Sequence, residues 1–122
     1  MRREPLPESF LPLKPHWLHI LMSLADGEQH GYGIMQEVLA RTDDKVRLWP
    51  AMLYGTLKRL LDAELIEESD APRAAGNDDL RRRYYRLTAL GRRVLAAETA
   101  RLEDLVRLIR TKRGLSERSS ES

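Results

Sequence analysis

A mainly α fold carrying one small β-hairpin is what this sequence predicts, on two observations. Apolar residues recur at helical spacing in four separate stretches. Between the third and the fourth lie two short β-prone runs, Leu65-Ile66-Glu67-Glu68 and Arg83 to Leu87, joined by a polar segment with Pro72, Gly76 and Asn77. At 122 residues the chain is one domain, or one domain plus an appended helix. So short a chain buries a modest core, and a long exposed apolar stripe then calls for a partner subunit.

Residues 1–13 carry Pro5, Pro7 and Pro12 and read as a flexible, extended arm. Pro15 suits the first turn of a helix running to about Ala25. Its apolar residues, from Trp17 through Leu21 to Ala25, spread over roughly 200° of the helical wheel, so it is expected to pack on two sides. His16, His19 and Ser23 fall on the remaining polar side. Asp26-Gly27 ends this helix, and His30-Gly31-Tyr32-Gly33 opens a second with Ile34, Val38 and Leu39 as its core stripe up to about Thr42. Pro50 opens a third, to Ala63, with Leu53, Leu57, Leu60 and Leu61 on one face. Ala51, Gly55, Lys58, Arg59 and Asp62 lie opposite, and Tyr54 sits on the border. The strand pair follows, with Tyr85 and Leu87 facing inward and Arg82, Tyr84 and Arg86 outward.

Thr88 is a natural N-cap for a last helix to about Lys112. There Leu95, Leu102 and Ile109 repeat at heptad spacing, Leu105 and Val106 fill in around them, and Glu103 to Arg107 is a favourable helical pair. Little chain remains to cover that stripe, so a homodimer seam is the economical solution, with Trp17 and Leu21 of the wide-faced first helix joining it. The elements in this order spell a winged helix-turn-helix domain over 14–88, a C-terminal dimerisation helix over 89–113 and a disordered tail over 114–122.

Composition narrows the function class. The formal net charge is +2 and the isoelectric point about 9.1. Arginine dominates the cations, the lysines being Lys14, Lys45, Lys58 and Lys112 alone. Arginine suits bidentate contact with phosphate and guanine, although a GC-rich coding bias gives the same composition. Cysteine is absent, which excludes disulfides and thiolate metal sites. No secretion signal and no membrane-length apolar run is read, so a cytoplasmic location away from the membrane is expected. No Ser/His/Asp or paired-carboxylate pattern supports catalysis. His16 and His19 lack a partner carboxylate of ligand spacing, and Gly31 and Gly33 lack a phosphate-loop lysine; no metal or cofactor is expected.

What remains is a helix with a polar face beside a basic hairpin stem, an arrangement suited to duplex DNA. The helix fits the major groove and the stem lays cations along the flanking phosphates. The groove-facing candidates are Ala51, Met52 and Gly55; the phosphate candidates are Tyr54, Lys58, His30, Tyr32 and the run Arg81, Arg82, Arg83. Each has a plainer alternative: Tyr54 as an aromatic packed at the helix–hairpin junction, Lys58 and the arginine run as solvated charge. Asp78 and Asp79 argue that the hairpin tip stays out of a groove.

The same residues resemble a known family. His30-Gly31-Tyr32-Gly33-Ile34 resembles the His-Gly-Tyr-x-Ile opening of the second helix in PadR-like transcriptional regulators. The run Leu53 to Leu60 is similar to their Leu-Tyr-x-x-Leu-x-x-Leu recognition helix, Leu65-Ile66 to the strand after it, and Tyr84 to Gly91 to their Tyr-x-Leu-Thr-x-x-Gly junction. The single C-terminal helix looks like the short subfamily. Trp49 and Ala51 stand where that family usually has a small capping residue and a glycine, and Glu64 stands for its glycine before Leu-Ile. The resemblance implies a homodimeric repressor on a pseudo-palindromic operator. It also implies, for some members, a small aromatic effector in the dimer interface, for which Trp17 is the candidate here against ordinary core packing. The other readings are a winged-helix protein-interaction module with an acidic partner, and a small-molecule sensor without operator specificity.

Overall fold

Proline opens two of the helices. Pro15 begins α1 (Pro15–Leu24) and Pro50 begins α3 (Pro50–Asp62), each after a residue in extended conformation. The missing N–H falls where a helix has no internal partner for it. The computed structural model describes residues 4–69 and 83–112. Between those two helices lie β1 (Gln29–His30) and α2 (Gly31–Arg41); after α3 come β2 (Ile66–Ser69), β3 (Tyr84–Leu87) and α4 (Ala89–Arg110).

Helix ends are set by identifiable residues. The Thr42 hydroxyl donates to the Val38 carbonyl at 2.8 Å and accepts from the Val46 N–H at 3.0 Å, closing α2. Beyond α3, Leu65 N–H reaches back to the Leu60 carbonyl and Glu64 N–H to that of Leu61, both at 3.0 Å. This is a Schellman end with Glu64 in the left-handed position, φ 65°. Thr88 caps α4 as expected, accepting from Gly91 N–H at 2.9 Å, while its own hydroxyl donates to the Glu64 carbonyl at 2.7 Å.

The sheet has three antiparallel strands in the order β1-β3-β2. Ile66 lies opposite Leu87 and Glu68 opposite Tyr85, while His30 pairs with Tyr84 on the other edge of β3. Sequence reading finds the hairpin but not β1, because two residues are too few for any alternation to register. Tyr85 and Leu87 are buried as expected and close one continuous core with Ile20, Leu24, Ile34, Val38, Leu53, Leu57, Leu60 and Val94. Gly91 is where α4 meets the residue before β2: a Cβ there would overlap the Leu65 backbone carbonyl.

Four expectations are corrected. Residues ahead of α1 are not a simple extended arm: Pro7–Phe10 is a 3-10 turn, Phe10 and Leu11 pack on the core, and Leu13 is buried. Leu13 N–H donates at 3.1 Å to Glu98, a carboxylate buried in α4 that also takes two hydrogen bonds from Arg101. Leu21 is wholly buried in the chain's own core and has no surface to give a dimer seam. Ser23 is buried too, since Arg41 of α2 bridges to its hydroxyl and to the His19 carbonyl, covering the flank of α1 that looked polar. Arg107 pairs with Asp104 at 2.7 Å rather than with Glu103. The hairpin tip around 70–79, Arg81, Arg82 and the tail 114–122 lie outside the described residues.

Candidate nucleic-acid interface

The outward face of α3 follows from its pattern. With Leu53, Thr56, Leu57 and Leu60 buried, helical geometry turns Ala51, Tyr54, Lys58, Arg59 and Asp62 to solvent. Gly55 is half exposed, and Met52 is half buried against the core, so it gives this face less than its position suggested. Lys58 leans towards Asp62 at 3.9 Å, with both side chains largely exposed; such a pair is weak and easily exchanged.

Tyr54, 48% exposed, ties α3 to the start of α2. A Cβ at Gly31 would stand 2.7 Å from the Tyr54 hydroxyl oxygen and 2.9 Å from its ring, so any larger residue there would push the tyrosine tip aside. His30, the residue before α2, makes no side-chain capping bond. The first-turn amides of α2, at the positive end of its dipole, therefore stand beside the Tyr54 hydroxyl without that acceptor. His30 instead stacks on Tyr84 of β3, ring centroids 5.1 Å apart at 22°, and the Tyr32 ring lies tilted to it at 6.4 Å. Tyr32 is exposed and its hydroxyl accepts from Gln36 at 3.0 Å. Of the sequence-predicted residues, His30 and Tyr32 lie at the start of α2, where Tyr54 reaches Gly31 between them from α3, and Gly55 and Lys58 continue along the α3 face.

The hairpin stem is less bare than its sequence suggests. Arg83 pairs with Glu68 at 3.2 Å. Arg86 pairs with Glu67 at 2.8 Å and with Glu28 at 3.5 Å, and Glu28 also takes the Ser69 hydroxyl. The hydrogen bond and charge of Glu67 hold the Arg86 guanidinium still more firmly protonated than usual. Antiparallel register explains the pairing, since Glu67 lies directly opposite Arg86.

A second surface lies between α1 and α4. Leu18, Met22, Leu95, Leu102 and Val106 line a groove of about 760 Å³ rimmed by Glu103, Arg107 and Arg110. Beyond it Leu105, Val106, Leu108 and Ile109 stand 41–59% exposed on the last turns of α4. Of the residues expected in a seam, Leu95 and Leu102 are half buried at the groove, while Leu105, Val106 and Ile109 are open. Trp17 does not line it; the ring packs against the core with Lys14 above it at 6.0 Å.

A sequence model of the Transcriptional regulator PadR-like family matches residues 20–97. The chain belongs to that family. It is 38% identical over 91 residues to the transcriptional regulator Rv3488 of Mycobacterium tuberculosis, covering 74% of this chain and 78% of that one. In fold it is similar to a transcriptional regulator from Clostridium thermocellum, with TM-score 0.66, 24% identity, 79% of this chain and 87% of the other. RosR of H. salinarum gives TM-score 0.60 at 23% identity over 92% and 91% of the two chains.

Two features of this PadR-family chain escaped sequence reasoning. The acids Glu28, Glu67 and Glu68 that hold the stem arginines had a signal, since a cross-strand Glu67–Arg86 register follows from the hairpin once its ends are fixed. Arg47 and Trp49 were the other. The Arg47 guanidinium lies 5.2 Å over the Trp49 ring, and Trp49 is 60% exposed at the residue preceding α3. Their spacing of two in extended chain, which places both on one side, was the available signal. Among the described residues no group of His and acidic side chains could hold a metal ion, and no helix is long and apolar enough to cross a membrane.

Proposed function

We propose that this PadR-family regulator is a homodimer that binds duplex DNA in a sequence-dependent way, acting in the cytoplasm on a pseudo-palindromic operator. The observation that carries the reading is the uncovered face of α3, Ala51 to Lys58, standing beside the uncapped start of α2 and the Tyr54 hydroxyl. A helix of this size fits the major groove, while Tyr54, Lys58, His30, Tyr32 and the stem arginines Arg81, Arg82 and Arg83 supply donors for phosphate. Ala51, Met52 and Gly55, being small or apolar, leave discrimination to methyl contacts and to DNA shape.

The exposed Leu105, Val106 and Ile109 with the α1–α4 groove support a second copy as partner. Repression is the expected outcome where the operator overlaps a promoter. The groove, rather than Trp17, supports a small aromatic effector between subunits, because its walls are apolar and its rim carries Arg107 and Arg110.

Mobility-shift titration with genomic fragments tests this. A fragment retained against a large excess of random duplex is expected; retention that random duplex abolishes equally for every fragment contradicts sequence preference and favours an acidic protein partner instead. Lys58→Ala should weaken binding to all duplexes and lower the salt slope by roughly one unit.

A further inference from the structure

We propose that Arg47 and Trp49 form a phosphodiester clamp at the N-terminal corner of α3, gripping the DNA backbone beside the groove that α3 enters. The inference rests on the DNA-binding reading above and adds two residues and a mode of contact to it. Trp49 is more exposed than Tyr54, Tyr32 or any other exposed large hydrophobic residue of the described surface except Leu6, and it stands beside the α3 face rather than apart from it. Its partner is a cation: the Arg47 guanidinium lies over the ring at 5.2 Å. Among the described residues no carboxylate pairs with Arg47, in contrast to Arg83 and Arg86. Stacking over an aromatic face leaves the guanidinium edge, with its forked donors, free to meet an oxyanion.

The backbone of this corner has the same character. Trp49 makes no side-chain capping bond and Pro50 has no N–H; the Trp49 carbonyl takes the Leu53 N–H at 2.8 Å, which leaves the Ala51 and Met52 amides of the first turn with no side-chain acceptor from Trp49. Guanidinium, indole N–H and first-turn amides are all donors, and the flat indole offers apolar area. An acceptor-rich chain with an apolar sugar face, the phosphodiester backbone, is the partner that matches every group. A guanine edge, with its N7 and O6 acceptors, would suit the guanidinium alone and leave the first-turn amides and the indole without a partner. The stack holds Arg47 in place, so the two side chains act as one unit.

The test is a double-mutant cycle on the full chain: Arg47→Ala, Trp49→Ala and both together, each checked by circular dichroism, with affinity for operator and random duplex read by anisotropy across salt. Arg47→Ala is expected to weaken both duplexes by roughly fivefold and to lower the salt slope by about one. Trp49→Ala should weaken both similarly, and the double variant should be little worse than either single one. Trp49→Phe should restore most of the loss. A loss confined to the operator means base reading and overturns the clamp, as do strictly additive losses or an unchanged salt slope. If the unaltered protein ignores all duplex DNA, both the clamp and the function proposed above fall; if it binds and Arg47→Ala changes nothing, the clamp alone falls. In a Trp17→Phe background, quenching of Trp49 fluorescence by added duplex supports the contact, and unaltered emission at saturating duplex contradicts it.

Discussion

Gly91, Glu64 and Glu98 decide local stability for three different reasons. At Gly91 the obstacle is backbone: a methyl group meets the Leu65 carbonyl, which is itself fixed by the Thr88 N–H at 3.1 Å and has nowhere to yield. Gly91→Ala is therefore expected to destabilise by about 3 kcal/mol or more, read by urea denaturation. Glu64 is the opposite case, a side chain in a conformation that favours glycine. Glu64→Gly should stabilise by about 1 kcal/mol; an unchanged or lower midpoint would show that the side chain's own contacts outweigh the backbone strain. At Glu98 the hydrogen bonds from Arg101, and then Leu13 N–H, outweigh burial and hold the carboxyl below the ordinary glutamate range. A folded-state pKa below the unfolded one stabilises above the unfolded value, and that stabilisation is lost as pH falls through the folded value. Glu98→Gln should thus cost on the order of 1–3 kcal/mol at neutral pH and little in strong acid, with the two denaturation curves converging as pH drops.

At the scale of elements, the wing stem sets its own charge. Glu67 and Glu68 lie on β2 against Arg86 and Arg83 on β3, so two cations that could meet phosphate are held by carboxylates on the neighbouring strand. Because Glu28 also holds Arg86, replacing Glu28, Glu67 and Glu68 together with glutamine is expected to raise affinity for random duplex by roughly tenfold and to steepen the salt dependence by about two units. Equal affinities for the altered and unaltered proteins would mean that this face stays clear of DNA. The elements themselves were largely legible from sequence: prolines, the Thr88 cap and apolar periodicity fix α1 to α4 within a residue or two. What was not legible depends on contacts between elements. Ser23 looks polar until Arg41 arrives from α2, Leu21 looks available for a seam but is wholly buried in the core, and β1 exists because β3 has a free edge to pair. The candidate face followed the same rule. The outward positions of α3 were readable from the helical wheel, whereas the Arg47–Trp49 stack and the Glu28–Arg86 pair belong to tertiary geometry.

At the scale of the whole molecule, one copy leaves two surfaces open that are linked through α1 and α4: the α3 face and the apolar end of α4. Leu105→Asp with Ile109→Asp places charge where both side chains are already in solvent, so the fold should survive while association fails. Light scattering is expected to report a monomer, with operator affinity falling steeply; a protein that remains dimeric places the seam elsewhere. The central claim, paired recognition helices in successive major grooves, is tested most directly by hydroxyl-radical footprinting of the operator complex. Two protected patches related by a two-fold axis and centred about 34 Å apart are predicted. A single asymmetric patch, or uniform protection along the duplex, would contradict it.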